Sequence, residues 1–148
     1  MGDLLYACVQ LVHNMGAAAV VGFPATAWWL GSNKQLTSLL PDREPALSAL
    51  QRNLTWLTFV AWSTQIASGA GFGVTTYYLK HELPELTGIG LAALGTKIAC
   101  AIISLFICIV YLRMASRWPA VIRLRFWRIL FTLGLTALIS AAFLRWYS

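Results

Sequence analysis

Residues 86–112 read LTGIGLAALGTKIACAIISLFICIVYL and contain a single charged side chain, Lys97. A helix needs about 20 mostly apolar residues to cross a bilayer, and this stretch is longer than that. Similar stretches occupy residues 4–30, 54–79 and about 128–144. The chain of 148 residues is 59% hydrophobic and 11% charged, whereas a soluble domain is roughly 45–50% apolar and about 25% charged. The sequence predicts a single domain, 1–148, that is an all-α integral membrane bundle of four helices.

The charges between these segments predict the orientation of the bundle. The basic loop 113–127 carries four arginines and the first loop is also basic, and short loops rich in Lys and Arg stay on the cytoplasmic side. The second connection, KHELPEL at 80–86, is acidic. We therefore expect both termini on the outer, periplasmic side of a bacterial inner membrane, with the first segment retained as a helix because it has no basic start typical of a signal peptide.

Polar side chains inside the spans are costly in hydrocarbon and indicate a site or an interior contact. Gln10, His13 and Asn14 lie at helical spacing on one face of the first segment. Their depth, on the order of 15 Å at 1.5 Å per residue, matches that of Lys97 in the third segment, and Gln65 lies near the middle of the second. The sequence predicts a shared intramembrane polar layer, which Cys100 extends along the Lys97 face. Lys97 has two interpretations, a charge that locks the bundle and a chemically active amine.

Several side chains are candidate ligands of a metal ion or of haem iron. Copper(I) favours thiolate, thioether and imidazole ligands, and the outer half of the chain offers His13, Cys8, Met15 and His81. His13 is equally interpretable as a hydrogen-bonded packing residue. Two histidines are too few for two bis-histidine haems, although a single haem remains open. No carboxylate lies inside a predicted span, which disfavours hydrolysis and proton pumping through acidic residues.

Small residues predict where helices approach closely. The pattern of two small residues four apart occurs at Gly69 and Gly73, and it is extended by Ala18 with Gly22 and by Gly95. Such faces serve packing within the bundle or the formation of a homo-oligomer. Pro24 is expected to kink the first helix or to release a carbonyl into the interior.

Four stretches together resemble a known family. They are LVHNMGAAAVVGF, QIASGAGFG, ALGTKIACAII and RLRFWRILFTLGLTALISAAFL, and they resemble the copper-resistance D (CopD) membrane domain and the related HemJ protoporphyrinogen oxidases. The first resemblance implies copper handling across the inner membrane, with a periplasmic copper chaperone as partner. The second implies haem b. In both, His13 would be the ligand and Lys97 its partner.

Three functions remain open at this point. They are copper handling, haem-linked redox chemistry, and a non-catalytic accessory role in a larger membrane complex. The basic loop is interpreted as a topology signal that contacts lipid, so nucleic acid is not an expected partner. The P-loop, GxGxxG and HExxH motifs are absent from the sequence, so a non-enzymatic role is favoured while an enzymatic one stays open.

Overall fold

The computed structural model describes residues 2–33, 43–80 and 88–146, and nearly all of them are helical. Helix α1 is Gly2–Ser32, α2 is Arg43–Lys80, α3 is Gly88–Met114 and α4 is Ala120–Trp146, with a short 3-10 turn, Ala115–Arg117, before α4. Within these described ranges, the prediction of an all-helical protein with four long helices is confirmed. Three of these helices, α1, α3 and α4, are long and apolar enough to cross a membrane.

Helix α2 does not reach this level of hydropathy, although residues 54–79 were predicted as a span. The reason lies on its buried side, where Gln51, Thr55, Thr58 and Gln65 point into the bundle. Its exposed side carries large apolar residues such as Trp56, Leu57 and Val60, together with polar ones such as Ser63. The polar residues that lower the mean hydropathy of α2 thus include several that are buried inside the bundle.

Two helices begin earlier than predicted. Helix α2 begins at Arg43 instead of 54, since Pro45 falls in the first turn, where its missing N–H costs nothing. Helix α4 begins at Ala120 instead of 128, directly after Pro119, whose carbonyl accepts hydrogen bonds from the next helical turn at Ile122 and Arg123. The prediction of a basic loop over 113–127 is thus wrong for residues 120–127, which are helical.

The four helices form a ring in chain order. Each helix packs against its neighbours in the sequence, and α1 closes the ring against α4. Two clusters of buried apolar residues lie at successive levels inside, each with contributions from all four helices. The first contains Val20, Ala61, Trp62, Cys100, Ala101 and Ala137, and the second contains Ala27, Leu54, Cys108, Tyr111, Trp127 and Leu130.

The backbones of α1 and α4 approach each other closely at Gly134. A Cβ atom placed on Gly134 would lie 2.6 Å from the backbone oxygen of Val20. Four residues beyond Val20 lies Pro24, which has no N–H to donate to this oxygen in the helix. The carbonyl released by Pro24 is therefore the one against which Gly134 packs.

The small residues predicted to pack lie elsewhere. A Cβ atom placed on Gly22, Gly73 or Gly95 would meet nothing within 4 Å, and one on Gly69 would only reach the His13 ring at 3.9 Å. Ala18 is exposed on α1. Among the described helices these positions do not mark the close approaches within the bundle.

Candidate polar site inside the bundle

The ring of His13 connects three helices. Its Nε2 atom lies 3.0 Å from Nζ of Lys97 on α3, and its Nδ1 atom lies 2.8 Å from Oγ of Ser68 on α2. His13 and Lys97 are both partly buried. The structure thus places a histidine and a lysine from helices on opposite sides of the ring in direct contact.

The hydrogen-bond partners of Ser68 determine which nitrogen of His13 carries the proton. The Ser68 hydroxyl has one hydrogen, and it donates to the Thr64 carbonyl at 2.6 Å. It therefore accepts from His13, whose Nδ1 must be the protonated ring nitrogen. The Nε2 lone pair then faces Nζ of Lys97, which donates an N–H to it. In this arrangement both ring nitrogens of a neutral imidazole are hydrogen-bonded.

The backbone of α1 is fixed at the same level. The side-chain amide of Gln65 on α2 donates to the carbonyl of His13. A Cβ atom on Gly16 would lie 2.8 Å from that amide nitrogen, so an alanine there would displace the Gln65 amide from this position. The edge of the His13 ring also meets Phe72, with the ring centroids 5.3 Å apart. Helices α1 and α2 therefore hold the imidazole in one orientation.

A cavity of about 130 Å³ adjoins the pair. Helices α1 and α4 line the cavity with small residues, including Ala17, Gly134 and Ala137. Helices α2 and α3 line it with Trp62, Gln65 and Lys97. An apolar cavity of about 150 Å³ holds a molecule as large as benzene. The space beside Lys97 can therefore accept a ligand of up to about six non-hydrogen atoms.

The polar groups around this cavity include several hydrogen-bond donors. Lys97 contributes N–H groups at Nζ, and the amides of Asn14 and Gln65 contribute N–H donors together with carbonyl acceptors. Trp62 also lines the cavity, and its buried Nε1–H has no hydrogen-bond partner within the described chain. None of the described side chains that line the cavity is a carboxylate. No acidic side chain of the described lining therefore competes with a ligand for these donors.

The predicted metal ligands are not brought together. Cys8 and Met15 are exposed on α1, away from the half-buried His13. His81 lies outside the described residues. No group of three or more His, Cys, Asp or Glu side chains within the described ranges could hold a metal ion. In this arrangement both ring nitrogens of His13 are already hydrogen-bonded.

The remaining polar-layer residues divide between the site and the surface. Asn14 lines the cavity although it is exposed, and Cys100 packs in the first apolar cluster beside Trp62. Gln10 is exposed on α1. The cavity measures about 130 Å³, which is smaller than the roughly 300–1,000 Å³ of cofactor-sized sites, and haem binding stays a prediction.

A second polar layer, which the sequence analysis did not find, lies about four helical turns nearer the arginine-rich end. The Tyr111 hydroxyl donates to Oε1 of Gln51 at 3.1 Å and accepts from Nε1 of Trp127 at 3.3 Å. Beyond it, the buried Arg123 pairs with the exposed Glu44 at 2.6 Å. The signal for this layer was the spacing of Gln51, Thr55 and Thr58 on one face of α2.

Comparisons with known proteins do not identify the chain. No family model matches it, and no curated protein or solved structure is detectably similar. The resemblance to the CopD and HemJ families therefore stays a prediction from the quoted residues.

Proposed function

We propose that the chain is an integral membrane protein that crosses the bilayer four times and binds a small acidic molecule beside Lys97. The span through α2 is supported by its exposed side, where Trp56, Leu57 and Val60 are each about half exposed. Those side chains suit lipid, while the polar side of α2 is kept inside the bundle. Exposed apolar residues on α1, α3 and α4 support the same environment.

The proposed orientation follows the distribution of charge. The end of the bundle where α3 stops and α4 starts carries five arginines, Arg113, Arg117, Arg123, Arg125 and Arg128. Such an excess is retained on the cytoplasmic side. Both termini then lie on the outer side of what we propose is a bacterial inner membrane.

The ligand class follows from the donors around the cavity. A protonated lysine in a membrane interior is stabilised by a nearby anion. The observation that carries the proposal is that the described residues lining the cavity beside Lys97 include His13 and two side-chain amides but no carboxylate. A carboxylate accepts hydrogen bonds from ammonium, amide and indole N–H groups alike. The proposed ligand is a carboxylic acid of about six non-hydrogen atoms or fewer.

Copper handling and an accessory role, which the sequence analysis also left open, differ from carboxylate binding in what the cavity would hold. Copper(I) carries a positive charge and would be repelled by a protonated Lys97. An accessory subunit could use the same apolar exterior to contact partner helices, and its polar pair would then serve only to fix the bundle. Neither predicts that small carboxylates bind.

The test is a calorimetric titration of the purified protein in mild detergent. Propionate and butyrate are the ligands, with propionamide as a neutral molecule of similar shape. We expect the carboxylates to bind, propionamide to bind at least about tenfold more weakly, and Lys97→Met to abolish carboxylate binding. Arg125→Gln, which removes one positive charge far from the cavity, should bind as the parent does.

The same sample decides among the alternatives. Stoichiometric copper in the purified protein would favour the copper-handling prediction. A haem absorbance band would favour the HemJ-type prediction. If neither carboxylate binds and the protein purifies with other subunits, the accessory role is the better account.

A further inference from the structure

The buried side of α2 carries a continuous line of polar side chains. Successive members are three or four residues apart, which places them on one helical face, and every member is buried: Gln51, Thr55, Thr58, Trp62, Gln65 and Ser68. Helix α3 supplies a matching line in which Lys97, Ser104 and Tyr111 are spaced by seven residues. We call these two lines together the polar column.

Both ends of the polar column are hydrogen-bonded between helices. One end is the His13–Lys97 pair with Ser68, and the other is the contact of Tyr111 with Gln51. Lys97 and Tyr111 are separated by fourteen residues of α3, which corresponds to about 21 Å of helix. The column therefore runs from the cavity to the arginine-rich end.

The middle of the column contains two polar atoms that are not satisfied. Nε1 of Trp62 and Oγ of Ser104 are buried and have no partner in the described part of the protein. Nearby, the hydroxyls of Thr55 and Thr58 donate to carbonyls of their own helix, which leaves their oxygen lone pairs available as acceptors. A buried donor without a partner destabilises the fold, and buried water is the usual partner of such groups.

We infer that water molecules occupy the interior between Trp62 and Ser104 and that the polar column gives the His13–Lys97 pair access to protons from the arginine-rich end. Water there accepts hydrogen bonds from the indole N–H and the serine hydroxyl and donates to the threonine oxygens. This inference goes beyond ligand binding. It depends on hydrogen bonds alone and holds whether or not a carboxylate binds beside Lys97.

Proton transfer along this line requires no other reactant. Each hydroxyl or water accepts a proton on one side and releases another on the far side, so one O–H bond forms as one breaks. A hydronium ion at the arginine-rich end gives one proton to the line and becomes water, and Lys97 gains one proton at Nζ when its amine has lost one; the reverse path returns it. The hydrogen-bond directions along the line are reversed after each transfer.

The experiment measures hydrogen exchange at the Trp62 indole in the full chain, purified in detergent micelles and transferred to D₂O. NMR of isotope-labelled tryptophan gives one N–H signal per indole, and Trp62→Phe assigns the signal of interest. We expect a cross-peak between the Trp62 N–H and water. The double variant Thr58→Val, Ser104→Ala should slow exchange at Trp62 by at least about tenfold, because exchange then needs local opening of the bundle.

Matched controls keep the result interpretable. Thr132→Val and Ser63→Ala remove the same groups from exposed positions on α4 and α2, and they should leave Trp62 exchange unchanged. The Trp127 signal reports whether the bundle is intact in each variant. Two results overturn the inference. One is a Trp62 N–H with no water contact in the parent protein, and the other is exchange that the double variant does not slow, since water would then enter through the cavity.

Discussion

Replacement of Gly134 by alanine tests the close contact between α1 and α4. The added carbon would lie 2.6 Å from the Val20 oxygen, and an ordinary contact begins at 3.4 Å. The two backbones would therefore have to separate by about 0.8 Å at this level. Both atoms belong to long helices, and backbone cannot rotate away as a side chain does.

The size of the effect follows from two opposing terms. Overpacking of a tight interior site costs about 1–3 kcal/mol, while alanine is favoured over glycine in a helix by up to about 1 kcal/mol. We expect Gly134→Ala to lower the free energy of unfolding by about 1–2 kcal/mol. Helical signal during titration with a denaturing detergent measures this difference.

Gly95→Ala is the matched control, because a Cβ atom there would meet nothing within 4 Å. It should leave stability unchanged or raise it by up to about 1 kcal/mol. If Gly134→Ala is as stable as Gly95→Ala, then α1 and α4 do not pack as described and the placement of the cavity between them is wrong.

Three further changes test the polar contacts. Tyr111→Phe should cost about 1–3 kcal/mol in unfolding experiments, since both partners of a buried hydroxyl lose a hydrogen bond, whereas the exposed Tyr77→Phe should have no effect. Glu44→Gln should cost only about 0.5–1 kcal/mol, because Glu44 is mostly exposed, and its difference from the parent should shrink in high salt as the attraction to Arg123 is screened. Gln65→Leu should cost about 1–2 kcal/mol through the lost bond from α2 to an α1 carbonyl, measured by the same detergent titration, and an unchanged midpoint would contradict that bond.

The number of helices could be predicted from hydropathy, but two of their starts could not. Pro45 and Pro119 suggest loops in a sequence, and each is compatible with a helix when it lies in the first turn or just before it. The same residue type interrupts or starts a helix depending on its position. Loop boundaries drawn from proline alone are therefore uncertain by up to three turns in this chain.

The depth of the site could be estimated from helix lengths, whereas its partners could not. Counting residues puts His13, Gln65 and Lys97 at a similar level, and the structure has them together. Which side of each helix faces inward depends on packing. For this reason Cys8 and Met15, which are close to His13 in the sequence, lie outside the site. The role of Ser68 in orienting the His13 ring likewise becomes visible only in three dimensions.

Close contacts between helices were the least predictable feature. Motifs of paired small residues pointed to Gly22, Gly73 and Gly95, yet the tight approaches are at Gly16 and Gly134. Each of these two contacts is set by what lies opposite, an amide group in one case and a carbonyl released by Pro24 in the other. A pattern within one helix contains no information about the neighbour.

The central claim is that a neutral His13 accepts a hydrogen bond from a protonated Lys97 inside the bundle. The most direct measurement is NMR of isotope-labelled histidine in the purified protein, with His81→Asn leaving His13 as the single histidine signal. We predict a proton on Nδ1 and none on Nε2 at neutral pH. A proton on Nε2, or on both nitrogens, would contradict the claim, because Lys97 could not then donate to the ring.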